Sequence, residues 1–241
     1  MIKKVIILPD AHIDTKVSKE YKLAKKFVKD FKADEIILLG DFMDVSALSG
    51  WDLDKRRNME GRRFKKEVDV TNKELDYLQA HTKKITYLEG NHENRIERYL
   101  DKHPEMEGMI DLELVLGLKY KNITYHTINT LYKLGHLRFT HGLYTNEFHT
   151  KKTLQAIGDN IVYGHIHRPQ AYMLNMQLQK PIMAYSLGAL CNKAPDYMKG
   201  RPANWMSGFG VVYYDDRTGN FNLYIINIIN NKFIWGGKVY E

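Results

Sequence analysis

The 241-residue chain has a single cysteine, Cys191, so it can form no intrachain disulfide. A reducing compartment, the cytoplasm, is the expectation. Long apolar runs are also missing, since none approaches the roughly 18 residues that cross a bilayer. Near the N-terminus the apolar stretch Val5 to Leu8 is too short for the apolar region of a secretory signal, so export is not expected. Acidic residues are outnumbered, 29 Asp and Glu against 36 Lys and Arg, giving a net charge of +7. That imbalance and a pI near 9.2 favour an anionic partner, and phosphate-bearing substrates in particular. Linkers, internal repeats and low-complexity tracts are lacking, so residues 1–241 read as one domain. Hydrophobic content of 44% and charged content of 27% are ordinary for a globular fold.

Branched apolar runs at Lys4 to Leu8 and Glu35 to Leu39 flank Val17, Tyr21, Ala24, Val28 and Phe31, which recur at helical spacing. Strand, helix, strand is the reading, and a right-handed crossover places both strand C-termini on one edge. Residues 51–84 are mixed and highly charged. Ile85 to Leu88 reads as a third strand and Asn91 to Leu100 as a helix. Beyond Lys121 short strands predominate: Ile123 to Thr127, Leu131 to Leu134, Leu137 to Thr140, Asn160 to Tyr163, Ala171 to Leu174, Ile182 to Ser186, Gly210 to Asp215, Phe221 to Ile229 and Phe233 to Trp235. An α/β first half followed by a β-rich second half implies two packed sheets with helices outside, a layered α/β sandwich.

Five blocks share one pattern, an apolar run ending in Asp, Asn or His. They are Ile6 to His12 with Asp10 and His12, Ile37 to Asp44 with Asp41 and Asp44, and Tyr87 to Glu93 with Asn91 and His92. The others are Leu137 to Gly142 with His141, and Ile161 to His167 with His165 and His167. Polar residues just beyond buried strands are where open α/β sheets build their sites. Taken singly, each block is as well explained by a capped turn or surface histidines. Together they hold five of the ten histidines, and their clustering points to metal ligation. Carboxylate and imidazole donors without thiolates suit Mn, Fe or Zn. His81, His103, His126, His136 and His149 have no ligand neighbour at suitable spacing and read as structural or exposed, with a loop role open to His149.

These blocks, spanning Asp10 to His167, resemble the calcineurin-like metallophosphoesterase pattern: Asp-x-His, Gly-Asp-x-x-Asp, Gly-Asn-His-Asp/Glu, a separate His, and Gly-His-x-His. The resemblance implies a four-layer α/β/β/α sandwich of two mixed sheets flanked by helices. It also implies two divalent metal ions, Mn foremost, with Asp10, His12, Asp41 and His167 on one. Asp41, Asn91, His141 and His165 would hold the other, with Asp41 bridging. Pro9 stands where the family commonly has glycine, and Val45 where its Ser/Thr protein phosphatase branch has arginine, which argues against a protein phosphatase.

Such a site implies a phosphoesterase using a metal-activated water. His92, beside a ligand but outside the ligand set, is the candidate general acid, with its other ring nitrogen oriented by Asp44. Arg95, three residues on, is a candidate phosphate contact. Phosphodiesters of nucleic acid are the leading substrate class. They are suggested by the clusters Lys55-Arg56-Arg57, Arg62-Arg63 and Lys65-Lys66, and by cations and aromatics between Asn192 and Met206: Lys193, Tyr197, Lys199, Arg201 and Trp205. A solvated outer helix, its charge offset by Glu60, Glu67 and Asp69, explains the first clusters equally well. A phosphomonoesterase or small-nucleotide phosphodiesterase would use the same metal site. The intact His92 and Asp44 speak against a third reading, a non-catalytic metal-binding scaffold.

Overall fold

A computed structural model describes residues 1–50, 54–175, 177, 180–193 and 204–241. Thirteen strands are present among them: β1 (Ile2–Leu8), β2 (Glu35–Leu39), β3 (Lys84–Leu88), β4 (Thr124–His126), β5 (Tyr132–Leu134), β6 (Leu137–Thr140), β7 (Ile161–Tyr163), β8 (Gln170–Leu174), β9 (Ile182–Ser186), β10 (Ser207–Asp215), β11 (Phe221–Ile228), β12 (Phe233–Trp235) and β13 (Lys238–Tyr240). The α-helices are α1 (Lys19–Phe31), α2 (Arg56–Met59), α3 (Phe64–Gln79), α4 (Arg95–Leu100), α5 (Leu112–Leu116) and α6 (His149–Ile157). None of the helices is long and apolar enough to cross a membrane.

The first sheet runs β11-β10-β1-β2-β3-β4, with β1 to β4 parallel and β10 and β11 antiparallel. In the second, β5-β6-β7-β9-β8, the strands β6, β7 and β9 are parallel and β5 and β8 antiparallel. Strand alternation sorts the side chains into layers. Val5, Ile7, Ile37 and Leu39 face Leu137, Phe139 and Val162 of the other sheet. Ile6, Leu8, Ile36 and Leu38 point the opposite way, onto Tyr21, Ala24 and Phe27 of α1 and Leu75 and Leu78 of α3. On the far side, Leu154 and Ile157 of α6 pack on Ile161, Tyr163 and Ala184. The architecture is therefore the expected four-layer α/β/β/α sandwich. Because both faces of β1 and β2 are covered, these strands read as unbroken apolar runs.

Helix α1 starts at Ser18, whose hydroxyl accepts the Tyr21 amide at 2.9 Å, and stops where Lys32 turns left-handed at φ 52°. Its Phe27, fully buried, meets the rings of Phe31, Phe209, Phe233, Trp235 and Tyr240. The hairpin β12–β13 is thereby held onto the helix layer. Two departures from the sequence reading occur near the site. Residues 91–94 form turns, and the helix begins only at Arg95. Helix α6 has little apolar patterning to announce it, since it buries Thr150 and Thr153 beside Leu154.

Candidate metal centre

The parallel strands β1, β2 and β3 end at Leu8, Leu39 and Leu88, and the loops that leave them carry Asp10 and His12, Asp41 and Asp44, and Asn91 and His92. From the second sheet, β6 delivers His141 and β7 delivers His165 and His167. Backbone bonds lock the first two loops together: Asp10 and His12 amides donate to Gly40 and Asp41 carbonyls at 3.2 and 2.9 Å. The turns are tight. Asp10, His12, Asp41, His165 and His167 all have left-handed backbones, with φ of 45°, 45°, 49°, 70° and 58°. Such conformations in non-glycine residues cost on the order of 1–3 kcal/mol each and persist where surroundings enforce them. Glycine is required at two close approaches. A Cβ on Gly90 would collide with the Asp41 carboxylate, and one on Gly164 with that of Asp10.

All seven expected ligands converge. Asp41 Oδ2 is the pivot, 3.3 Å from His141 Nε2 and 3.7 Å from His12 Nε2. Two residue groups able to hold a metal ion share it, Asp10–His12–Asp41 and Asp41–His141–His165. His167 Nε2 lies 3.3 Å from both Asp10 Oδ1 and His12 Nε2, joining the first group. Asn91 Oδ1 is 2.9 Å, and His165 Nδ1 3.1 Å, from His141 Nε2, joining the second.

The donor chemistry fits cations. His141 Nδ1 donates to the Leu39 carbonyl at 3.0 Å, which leaves its Nε2 lone pair facing the oxygens of Asn91 and Asp41. Acceptors face an acceptor there, so a positive charge must sit among them. Without a metal, a proton fills that need: burial lowers the His141 pKa, but the Asp41 charge overrides it and lifts it to about 9. In the same way burial opposes, and Asp10 then raises, His167 to about 10. Burial works against the Asp41 and Asp10 carboxylates, yet the neighbouring His141 and His167 charges hold both below the usual range.

His92 stands beside this cluster. Its Nδ1 donates to Asp44 Oδ1 at 2.6 Å, and its Nε2 lies 3.8 Å from Asp41 Oδ2. Arg95 closes the other side, with Nη2 at 3.1 Å from His92 Nε2 and Nη1 donating to the Asp44 carbonyl at 2.7 Å. Asp44 Oδ1 also lies 3.3 Å from His12 Nδ1, so one carboxylate orients two imidazoles. Burial raises the Asp44 pKa, but its bonds to His12 and His92 more than reverse that and keep it ionised.

Two acids to which the sequence reading gave no role of their own turn inward. Glu93, fully buried, accepts the amides of Asp41, Met43 and Gly90 and the Tyr87 hydroxyl at 2.8 to 2.9 Å, fixing the second and third ligand loops to each other. Glu67 accepts the Ser46 amide and hydroxyl and the Ala47 amide, at 2.5 to 3.0 Å. Those bonds hold the loop after Asp44, where the β-branched Val45 sits at φ 49°. Glu93 closes the Gly-Asn-His-Glu block, whereas no sequence pattern marked Glu67, which lies beside the exposed Lys65 and Lys66. The histidines outside the ligand blocks stay outside the site. His149 is buried with Nδ1 2.7 Å from the Tyr163 hydroxyl, and His81 stacks on Tyr77.

A cleft of about 610 Å³ opens on His12, Asp44, His92 and His167, and Lys16, Lys19 and Lys22 line it with Trp205. Besides Arg95, the cleft therefore takes its cations from the start of α1 and the loop before it. In the segment favoured from sequence, Arg62 donates to the Ser46 carbonyl at 3.0 Å and Lys65 pairs with Asp69 at 2.8 Å. Tyr197, Lys199 and Arg201 lie outside the described residues. Trp205 packs edge-to-face on His167, ring centroids 4.4 Å apart, and also borders a second cleft of about 340 Å³ with His165 and Arg168.

No family model matches the chain. In sequence it is similar to the Gene 54 proteins of Mycobacterium phages D29 and L5, 26% and 24% identical, each alignment covering 100% of both proteins. Among solved structures it is similar to a Vps29 single mutant from Entamoeba histolytica, with TM-score 0.48 and 10% identity over 98% of this chain and 95% of that one. It is also similar to Vacuolar Protein Sorting 29 from Cryptosporidium parvum, with TM-score 0.49 and 12% identity over 99% and 94%.

Proposed function

We propose that this chain is a two-metal phosphoesterase of the calcineurin-like type, cleaving phosphodiester bonds of nucleic acid. The observation that carries the reading is Asp41 Oδ2, shared by two ligand groups and flanked by a histidine already oriented by a carboxylate. Asp10, His12, Asp41 and His167 would hold one divalent ion, and Asp41, Asn91, His141 and His165 the other, Mn being the best match to this oxygen and imidazole set. Bound there, such a pair supplies a water of lowered pKa and neutralises charge on the phosphate.

The remaining work falls to the chain's own groups. Asp44 holds the His92 ring by Nδ1 and so orients it, with Nε2 placed to give a proton to the leaving oxygen. Arg95 donates to that same Nε2, since a guanidinium only donates. On taking a phosphate oxygen, Arg95 releases Nε2 for protonation. Binding and acid catalysis are thereby coupled. The three exposed lysines of the cleft, against Asp14 and Glu20 on the same wall, support an anionic polymer as the substrate.

The Mn-loaded protein, assayed on single-stranded DNA, duplex DNA, RNA, cyclic nucleotides and nitrophenyl mono- and diesters, tests this. Cleavage of diesters, with nucleic acid turned over in preference, is expected. Turnover confined to monoesters would shift the reading to a phosphomonoesterase, and no turnover of any ester would remove catalysis from the account.

A further inference from the structure

The phosphoesterase reading leaves open how a polymer would lie across the site, and two features of the cleft bear on this. Trp205, half-buried, is packed on one side against the His167 ring and borders both clefts that flank it. A packed and therefore rigid indole at a cleft junction offers an aromatic surface at low entropic cost. The second feature is independent: Lys16, Lys19 and Lys22 are exposed along the larger cleft, whose wall they share with Asp14 and Glu20, and among the described residues none of their ammonium groups forms an ion pair. Lys19 and Lys22 stand one turn apart on α1, a spacing of roughly 5 to 6 Å that lies within reach of successive phosphates of an extended strand. Arg168 offers a cation in the smaller cleft, across Trp205.

We infer that Trp205 is a stacking platform for an unpaired nucleobase next to the scissile phosphate, with Lys16, Lys19 and Lys22 carrying the neighbouring phosphates of a single strand. A base in a duplex is stacked on both faces and cannot use the platform, so the strand must be single there. Aromatic platforms beside cationic grooves bind single strands in this way with little sequence preference. The inference rests on the proposed reading of the metal centre, and its test keeps the two apart.

Binding is read by fluorescence anisotropy with labelled oligodeoxythymidylate and an abasic oligomer of equal length, on the Mn-loaded His92→Asn protein so that the strand survives. Trp205→Leu should weaken thymidylate binding on the order of ten-fold, the usual effect of losing one stacked base. It should leave abasic binding and metal content unchanged, and Trp205→Phe should restore most of the affinity. Lys19→Glu with Lys22→Glu should weaken both oligomers and flatten the salt dependence, because fewer counterions are released. Equal loss on both oligomers for Trp205→Leu, or loss of metal, would make Trp205 a packing partner of His167 and overturn the inference. So would duplex binding as tight as single-strand binding. If the wild-type protein binds thymidylate with this pattern yet cleaves no ester, the inference stands and the catalytic reading falls.

Discussion

At the scale of single residues, His92 makes the sharpest claim, because its role depends on the leaving group. A positioned general acid is worth about 10² to 10⁴ in rate. That corresponds to roughly 3 to 5 kcal/mol of barrier. A nucleoside alkoxide needs the proton, whereas nitrophenolate departs readily without it. His92→Asn is thus expected to cripple kcat on a nucleotide ester, cost far less on a nitrophenyl ester and leave metal content intact. Asp44→Asn should fall in the same direction but less far, since it loosens the imidazole without deleting it. Equal slowing of both esters by His92→Asn would assign His92 to substrate positioning. A second residue-scale expectation concerns Gly164, where a Cβ meets the Asp10 carboxylate. Gly164→Ala should lower metal content while the far-UV circular dichroism stays native, and unchanged metal would show that the β7 loop yields freely. The seven residues that converge were legible in sequence because each follows a buried strand. The role of Glu93 was not: it closes the third block, but only the fold reveals the three amides gathered on its carboxylate.

Among the elements, α1 does two jobs, and they can be separated. Its apolar face anchors the β12–β13 hairpin through Phe27, so Phe27→Ala should destabilise by about 3 to 5 kcal/mol in urea unfolding. A loss below about 1 kcal/mol would mean that the hairpin does not depend on this cluster. Its N-terminal lysines face the cleft, a placement that periodicity alone could not give, because an exposed face looks the same whether it meets solvent or substrate. The hairpin itself had a sign in the sequence that the reading above passed over. Gly236-Gly237 forms the two-residue turn, at φ 55° and 77°, between the paired Trp235 and Lys238. Helix α3 reaches the site through Glu67, whose pKa burial raises from 4.5 to about 7 against the pull of the Ser46 hydrogen bonds. The folded chain then keeps a proton that the unfolded chain releases. Its stabilising contribution is full below pH 4.5 and is lost as pH rises through about 7. The urea midpoint of the wild type relative to Glu67→Gln should accordingly fall across that window and level off above it. A difference that is constant with pH would show that Glu67 stays ionised when buried.

For the molecule as a whole, the two-sheet sandwich does for the centre what no single element could. The first sheet supplies Asp10, His12, Asp41 and Asn91, the second supplies His141, His165 and His167, and the apolar layer between them sets their separation. The layered architecture followed from the change of pattern after Lys121, whereas the pairing of distant strands such as β1 with β10 had no local signature. Misalignment of the two sheets would part His141 from Asp41, so ligation by both groups at once is the property that depends on the complete fold. Elemental analysis of protein purified without chelator and reloaded with Mn measures it directly. The account expects about two equivalents per wild-type chain, both lost in Asp41→Ala and only one lost in His12→Ala, and a wild-type content of one equivalent or none would contradict it.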